Sequence, residues 1–127
     1  MNLLLDTHTL LWLLDEHEKL SKKVSQKLAD TSNHLYVSIA SLWETTIKIM
    51  NNRLPAHASV DDFLQEIKKH PITVLNIDEK YLQTLAALPF HHKEPFDRII
   101  LSTAITEDMV LITKDEDIKK YDVETLW

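Results

Sequence analysis

Asp6, Glu44, Asp97 and Asp115 are the residues of this chain whose type and setting best suit chemistry, because each stands near the expected start of a helix or just beyond a strand. Carboxylates crowded together without compensation repel and raise one another's pKa, so a cluster of four is best explained by bound cations. With no cysteine and no HExxH pair, ligation would be all-oxygen, which points to Mg²⁺, or Mn²⁺, rather than zinc. Singly, each acid also has a plain structural explanation. Asp6 and Asp115 suit N-caps, Ser41 to Glu44 matches a capping box, Glu44 pairs with Lys48 at i,i+4, and Asp97 suits the dipole of a first turn. Their weight is therefore collective and depends on whether the fold gathers them.

The pattern that must gather them alternates strand and helix. Leu3-Leu4-Leu5 reads as a short buried strand, with a helix after it carrying Leu10, Leu11 and Leu14 on one face and a second helix from Ser21 with Val24 and Leu28 inward. Leu35-Tyr36-Val37 is a second strand. Beyond Ser38, Ile39, Leu42, Trp43, Thr46, Ile47 and Met50 recur at helical spacing until Asn51-Asn52, and Pro55 opens a linker. Val60 to Lys69 predicts a helix, Ile72 to Leu75 a third strand, and Asp78 caps a helix through Leu88. Pro95 suits the first turn of a helix reaching Asp108. Val110 to Thr113 is a fourth strand, Asp115 to Lys120 a short helix and Val123 to Leu126 a closing strand. Such alternation implies a single three-layer α/β domain over residues 1–127, with a mainly parallel sheet of about five strands flanked by helices. Ligands of such sheets bind beyond the carboxyl ends of the strands, where Asp6, Glu44 and Asp115 fall; the Asp97 helix runs antiparallel to the fourth strand and starts at the same rim.

Composition narrows the classes. A net charge of −6 argues against broad phosphate neutralisation by clustered Lys and Arg, although carboxylates that hold cations misstate the charge a site presents. Glycine is absent, which removes both the dinucleotide fingerprint and the phosphate loop, and leaves Asn51-Asn52 and Asp108 to terminate helices. No apolar run approaches the ~20 residues of a membrane span, the amino terminus lacks a basic leader, and cysteine is missing; a cytoplasmic protein is expected. Of the cations near the rim, Arg98, Lys114, Lys93, Lys48 and Arg53, solvated faces suit the lysines, whereas Arg98, next to Asp97, and Lys114, next to Asp115, are the candidates for phosphate contact. The seven histidines show no metal spacing, and His91-His92 reads as a surface loop.

Taken in order, Asp6-Thr7-His8-Thr9-Leu10-Leu11-Trp12, Ser38 to Glu44, Pro95-Phe96-Asp97-Arg98 and Thr113-Lys114-Asp115 resemble the successive motifs of PIN domains, and among them VapC-type toxins of bacterial toxin–antitoxin pairs. The resemblance runs from Leu3 to Trp127. It implies a PIN-like fold and a metal-dependent endoribonuclease that hydrolyses RNA phosphodiester bonds, in tRNA or rRNA, with Asp6, Glu44, Asp97 and Asp115 as catalytic metal ligands. It also implies a homodimer neutralised by a small cognate antitoxin whose tail enters the active-site groove. Thr7 and Thr113 correspond to hydroxyls beside the acids, and Asp117, two residues beyond Asp115, could share its role. His8 stands where relatives carry Asn or Ser and receives no chemistry. A PIN-like module that binds RNA or protein without cutting is the competing reading. A receiver or aspartyl-phosphate phosphatase lacks its acid pair here, since His8 fills the second position.

Overall fold

The computed structural model describes residues 1–54 and 59–127, so Pro55 and the expected opening of the linker lie outside it. Among the described residues the strands are β1 (Asn2–Leu5), β2 (His34–Ser38), β3 (Ile72–Leu75), β4 (Val110–Ile112) and β5 (Thr125–Leu126). The helices are α1 (Thr7–Asp15), α2 (Lys22–Ala29), α3 (Ile39–Met50), α4 (Val60–Lys68), α5 (Glu79–Ala87) and α6 (Pro95–Glu107). The sheet order is β3-β2-β1-β4-β5 and every pairing is parallel, so the expected mainly parallel sheet is wholly so.

Alternation along β1 divides the core. Leu4, with Leu111 of β4, faces Tyr81, Ile100, Leu101 and Ala104 of α5 and α6, whereas Leu3 and Leu5, with Val110 and Ile112, face Val24 of α2 and the indoles of Trp12 and Trp127. Leu10, Leu11, Val37, Leu42, Phe63 and Ile67 form a third cluster beneath α3 and α4. Helices thus cover both faces, as parallel crossovers require.

Several local expectations are corrected. Helix α3 starts at Ile39 because Ser38, closing β2, accepts from the Ala40 N–H at 3.0 Å; Ser41 is consequently buried inside the helix and the Ser41–Glu44 capping box does not exist. The apolar residues of α3 also split into two stripes. Leu42 and Ile49 are buried, but Ile39, Trp43, Ile47 and Met50 are exposed. The expected helix from Asp115 is reduced to a 3₁₀ turn at Ile118–Lys120, and β5 is shorter than expected.

The positions assigned to helix ends in a glycine-free chain behave as the backbone demands. Among the described residues Asn52 and Asp108 are the ones at positive φ, 55° and 54°, and Asp108 terminates α6 in the left-handed conformation. Replacing Asp108 by Gly is expected to raise stability by about 0.5 kcal/mol, relief at Cβ slightly exceeding the added freedom of the unfolded chain, and Asp108→Val to lower it by about 1–2 kcal/mol. Urea midpoints would decide it; a Val variant as stable as the parent would refute the account.

Candidate active site

Order β3-β2-β1-β4-β5 means that the chain builds outward from β1 through β2 to β3 and then crosses to the other side of β1 to lay down β4. The gap at the carboxyl ends of β1 and β4 is the topological switch point, the customary ligand crevice of open parallel sheets. Asp6 follows β1 directly and Asp115 follows β4 by three residues. The Asp6 N–H donates to the Ile112 carbonyl at 3.2 Å and the Thr9 hydroxyl donates to the same oxygen at 3.0 Å, tying the two strand ends together. A cleft of about 380 Å³ lies there, lined by Asp6, His8, Trp12, Asp97, Lys114 and Asp115.

Each acid is held by its own element. Asp6 caps α1, accepting from the Thr9 N–H at 2.8 Å, and is buried. One turn of α3 carries Glu44 towards the next residue, Thr7, whose hydroxyl donates to Glu44 Oε1 at 2.6 Å and lies 3.0 Å from Ser41 Oγ. A hydroxyl has one proton, and the carboxylate, which only accepts, takes it. Lys48 Nζ stands 3.7 Å from the other Glu44 oxygen. Asp97 is the third residue of α6, after Pro95 in the first turn. Thr113 is fully buried, and its hydroxyl accepts from the Asp115 N–H at 3.1 Å, setting the direction of that residue as it leaves β4.

The electrostatics identify Asp97 as the centre of the cluster. Burial pushes its carboxyl up to about 7, and the charges of Glu94, Glu44, Asp6 and Asp115 add to the rise. The other three acids singled out in the sequence therefore all act on Asp97. Asp117 does not join them: its half-exposed side chain turns to Lys120, which at 2.9 Å holds the carboxyl below the usual range, so Asp115 is the one facing the cleft.

Sequence reasoning missed two residues. Glu94 caps α6, accepting from the Asp97 N–H at 2.6 Å, and ranks next after burial among the influences on Asp97. An acid immediately before a helix-opening proline was the available signal. His92, read as a surface residue, is half-buried, and one of its ring nitrogens lies within 4.8 Å of carboxylate oxygens of Asp97 and Asp115. The absence of metal spacing concealed it, because the loop before α6 and the turn after β4 meet only in three dimensions.

The phosphate contact expected of Arg98 is not what its geometry serves. The side chain is buried, donates through Nη1 to the Pro89 carbonyl at 2.9 Å and to Tyr121 Oη at 3.1 Å, and stacks 4.2 Å from the Phe90 ring centroid. Pointing inward from α6, it braces the loop before that helix and is absent from the cleft wall. Lys114 does line the cleft, with Nζ 6.0 Å from the Trp12 ring centroid. Lys93 lines a separate apolar depression with Phe90 and Arg98, and Arg53 lines a groove beside the cleft that shares His8 and Trp12 with it.

A parallel sheet in this order, with Asp6, Asp97 and Asp115 lining the cleft at its switch point, is the arrangement of a PIN-like domain, and the PIN-domain family model matches residues 3–124. The chain belongs to that family. Within it the likeness is to VapC-type members: it is 31% identical over 119 residues to Ribonuclease VapC22 of Mycobacterium tuberculosis, covering 93% of this chain and 90% of that protein. In fold it matches VapBC2 from Rickettsia felis bound to a DNA fragment from its promoter, with a TM-score of 0.77 at 14% identity over 99% and 98% of the two chains. VapBC-1 from nontypeable Haemophilus influenzae gives a TM-score of 0.71 at 16% identity over 99% and 97%. No helix among the described residues is long and apolar enough to cross a membrane.

Proposed function

We propose that this protein is a metal-dependent endoribonuclease, the toxin of a toxin–antitoxin pair, with Asp6, Glu44, Asp97 and Asp115 as its catalytic carboxylates. The observation that carries the reading is the convergence of these acids on Asp97, whose carboxyl rises to about 7 where a cation would return it to the charged form. The donor set fits a hard divalent ion, Mg²⁺ or Mn²⁺, because the cluster offers carboxylate oxygens. Asp6, Asp97 and Asp115 would hold it from the cleft wall and Glu44 from beside Thr7. Such an ion, when bound, lowers the pKa of water and stabilises charge gathering on a phosphodiester.

The residues of the chain supply the rest. Thr7 and Thr113 fix the directions of Glu44 and Asp115, sparing those carboxylates reorganisation at the moment of reaction. Lys114 stands at the cleft mouth as a phosphate contact, and Trp12 beside it offers an indole face for stacking on a base. The partners follow from the same reading: an RNA substrate, a cognate antitoxin and a second copy of the chain. The exposed stripe Ile39, Trp43, Ile47 and Met50, with Trp43 59% exposed and edge-on to Phe96 at 5.1 Å, provides the apolar surface an antitoxin would cover beside the cleft. Work in the cytoplasm accords with an RNA target.

The test is incubation of purified protein with total cellular RNA in Mg²⁺, Mn²⁺ or EDTA, with sequencing of any new ends. Discrete cuts at one tRNA or rRNA position, dependent on metal and absent with Asp97→Asn, are expected. RNA retained tightly but uncut in either metal would establish the non-cleaving module instead.

A further inference from the structure

Among the described residues, His92 Nε2 is the one buried side-chain polar atom without a hydrogen-bond partner. What it needs follows from Tyr121. Three N–H groups converge on Tyr121 Oη: Arg98 Nη1 at 3.1 Å, His91 N at 3.1 Å and His92 N at 3.2 Å. A phenol oxygen has two lone pairs, so these donors already exceed its accepting capacity and a fourth N–H would find nothing to bond. The other close neighbour of Tyr121 Oη is His92 Nδ1, at 2.9 Å. The phenol proton therefore goes to Nδ1, and the neutral imidazole must carry its own proton on Nε2.

This assignment decides what the ring can do. An Nε2–H offers a hydrogen, not a lone pair, so it seeks an oxygen rather than a metal ion, and leaving it unpaired costs about 1–3 kcal/mol. The oxygens at hand are those of Asp97 and Asp115, each within 4.8 Å of a His92 ring nitrogen; Nδ1 is already engaged by Tyr121. Metal-ligating carboxylates are ordinarily hydrogen-bonded from outside, and such partners orient them.

We propose that His92 is a positioning residue of the acidic site: its Nε2–H, unpaired in this geometry, is the donor a small side-chain movement away from the Asp97–Asp115 carboxylate pair, and on closing to it would leave both acids presenting their free oxygens to a metal. Arg98, Tyr121 and His92 then form one chain of hydrogen bonds running from the core to the cleft. The proposal rests on the metal-binding reading above and adds to it a residue that holds the ligands without being one.

The experiment uses the full chain at pH 8 and reads Mn²⁺ binding by electron paramagnetic resonance. His92→Ala is expected to weaken Mn²⁺ binding by about 10- to 100-fold, His92→Gln, which keeps an N–H, to recover part of it, and His34→Ala, exposed at the amino end of β2, to leave it unchanged. Electron spin-echo modulation of the bound Mn²⁺ should show no directly coordinated nitrogen. Long-range ¹⁵N–¹H spectra should show the Nε2–H tautomer of His92, and Tyr121→Phe should mix the two tautomers. A coordinated imidazole nitrogen would overturn the proposal by making His92 a ligand. So would binding by His92→Ala within about twofold of the parent while Asp97→Asn abolishes it, which would leave the metal site standing. Mn²⁺ binding untouched by Asp97→Asn would remove the metal site itself and the proposal with it.

Discussion

Asp97→Asn should lower RNA cleavage by about a thousandfold or more and yet make the metal-free protein more stable above neutral pH. Both effects arise from one buried carboxyl. Its pKa in the folded chain is about 7, raised chiefly by burial and then by Glu94, Glu44, Asp6 and Asp115, whereas an unfolded aspartate titrates near ~3.9. Between those values the folded protein holds a proton that the unfolded chain has released. Stability is therefore full below about pH 4, falls as pH rises through about 7, and stays low above that. A three-unit shift corresponds to about 4 kcal/mol at most, and solvent at the cleft reduces this to about 2 kcal/mol. Thermal unfolding of the metal-free protein at pH 5.5 and 8 checks the sign: the parent should melt lower at pH 8 and Asp97→Asn should lose most of that difference. Adding Mg²⁺ at pH 8 should restore the parent by mass action, about 2.7 kcal/mol at one hundred times the dissociation constant, and do far less for the variant. A folded Asp97→Asn protein with full cleavage, or a parent whose melting ignores pH, would sink the assignment.

How much of this was legible in the chain depended on distance. Strands at Leu3–Leu5, Leu35–Val37 and Ile72–Leu75, the helix from Ser21 and the stop at Asp108 are local matters, settled by a few neighbouring side chains, and the structure agrees with them. The four acids could be placed at one rim because parallel topology puts every strand's carboxyl end on the same side. Reasoning from spacing failed where a residue's role is decided across the fold. Helical periodicity in α3 could not distinguish Leu42, which is buried, from Trp43, which is exposed, because α1, α4 and the sheet choose the buried face. Ser41 matched a cap only by its spacing to Glu44, whereas Ser38, where the helical spacing begins, is the residue that caps α3. His92 and Tyr121 are 29 residues apart, and nothing in either segment announces that they share a proton.

Arg98 is the sharpest case, since its motif pointed to phosphate and its surroundings point inward. The guanidinium satisfies carbonyls of the loop before α6, with Nη1 on Pro89 at 2.9 Å and on His92 at 3.4 Å and Nη2 on Leu88 at 3.4 Å, while Nη1 also reaches Tyr121 and the plane covers Phe90. Arg98→Ala should therefore cost about 3 kcal/mol, because it removes charge-assisted bonds and leaves carbonyls without donors, and the melting temperature should fall by roughly 10 °C. Lysine cannot reproduce the fork, so Arg98→Lys should still cost about 2 kcal/mol. A phosphate-contacting arginine would behave oppositely: its loss would leave stability within about 0.5 kcal/mol of the parent and weaken RNA binding with a reduced dependence on salt. Urea unfolding and RNA affinity at two salt concentrations, measured on the same Arg98→Ala sample, separate the two. A large stability loss with an unchanged salt slope makes Arg98 the brace that aims Tyr121 and His92 at the acids, and the converse returns it to the substrate.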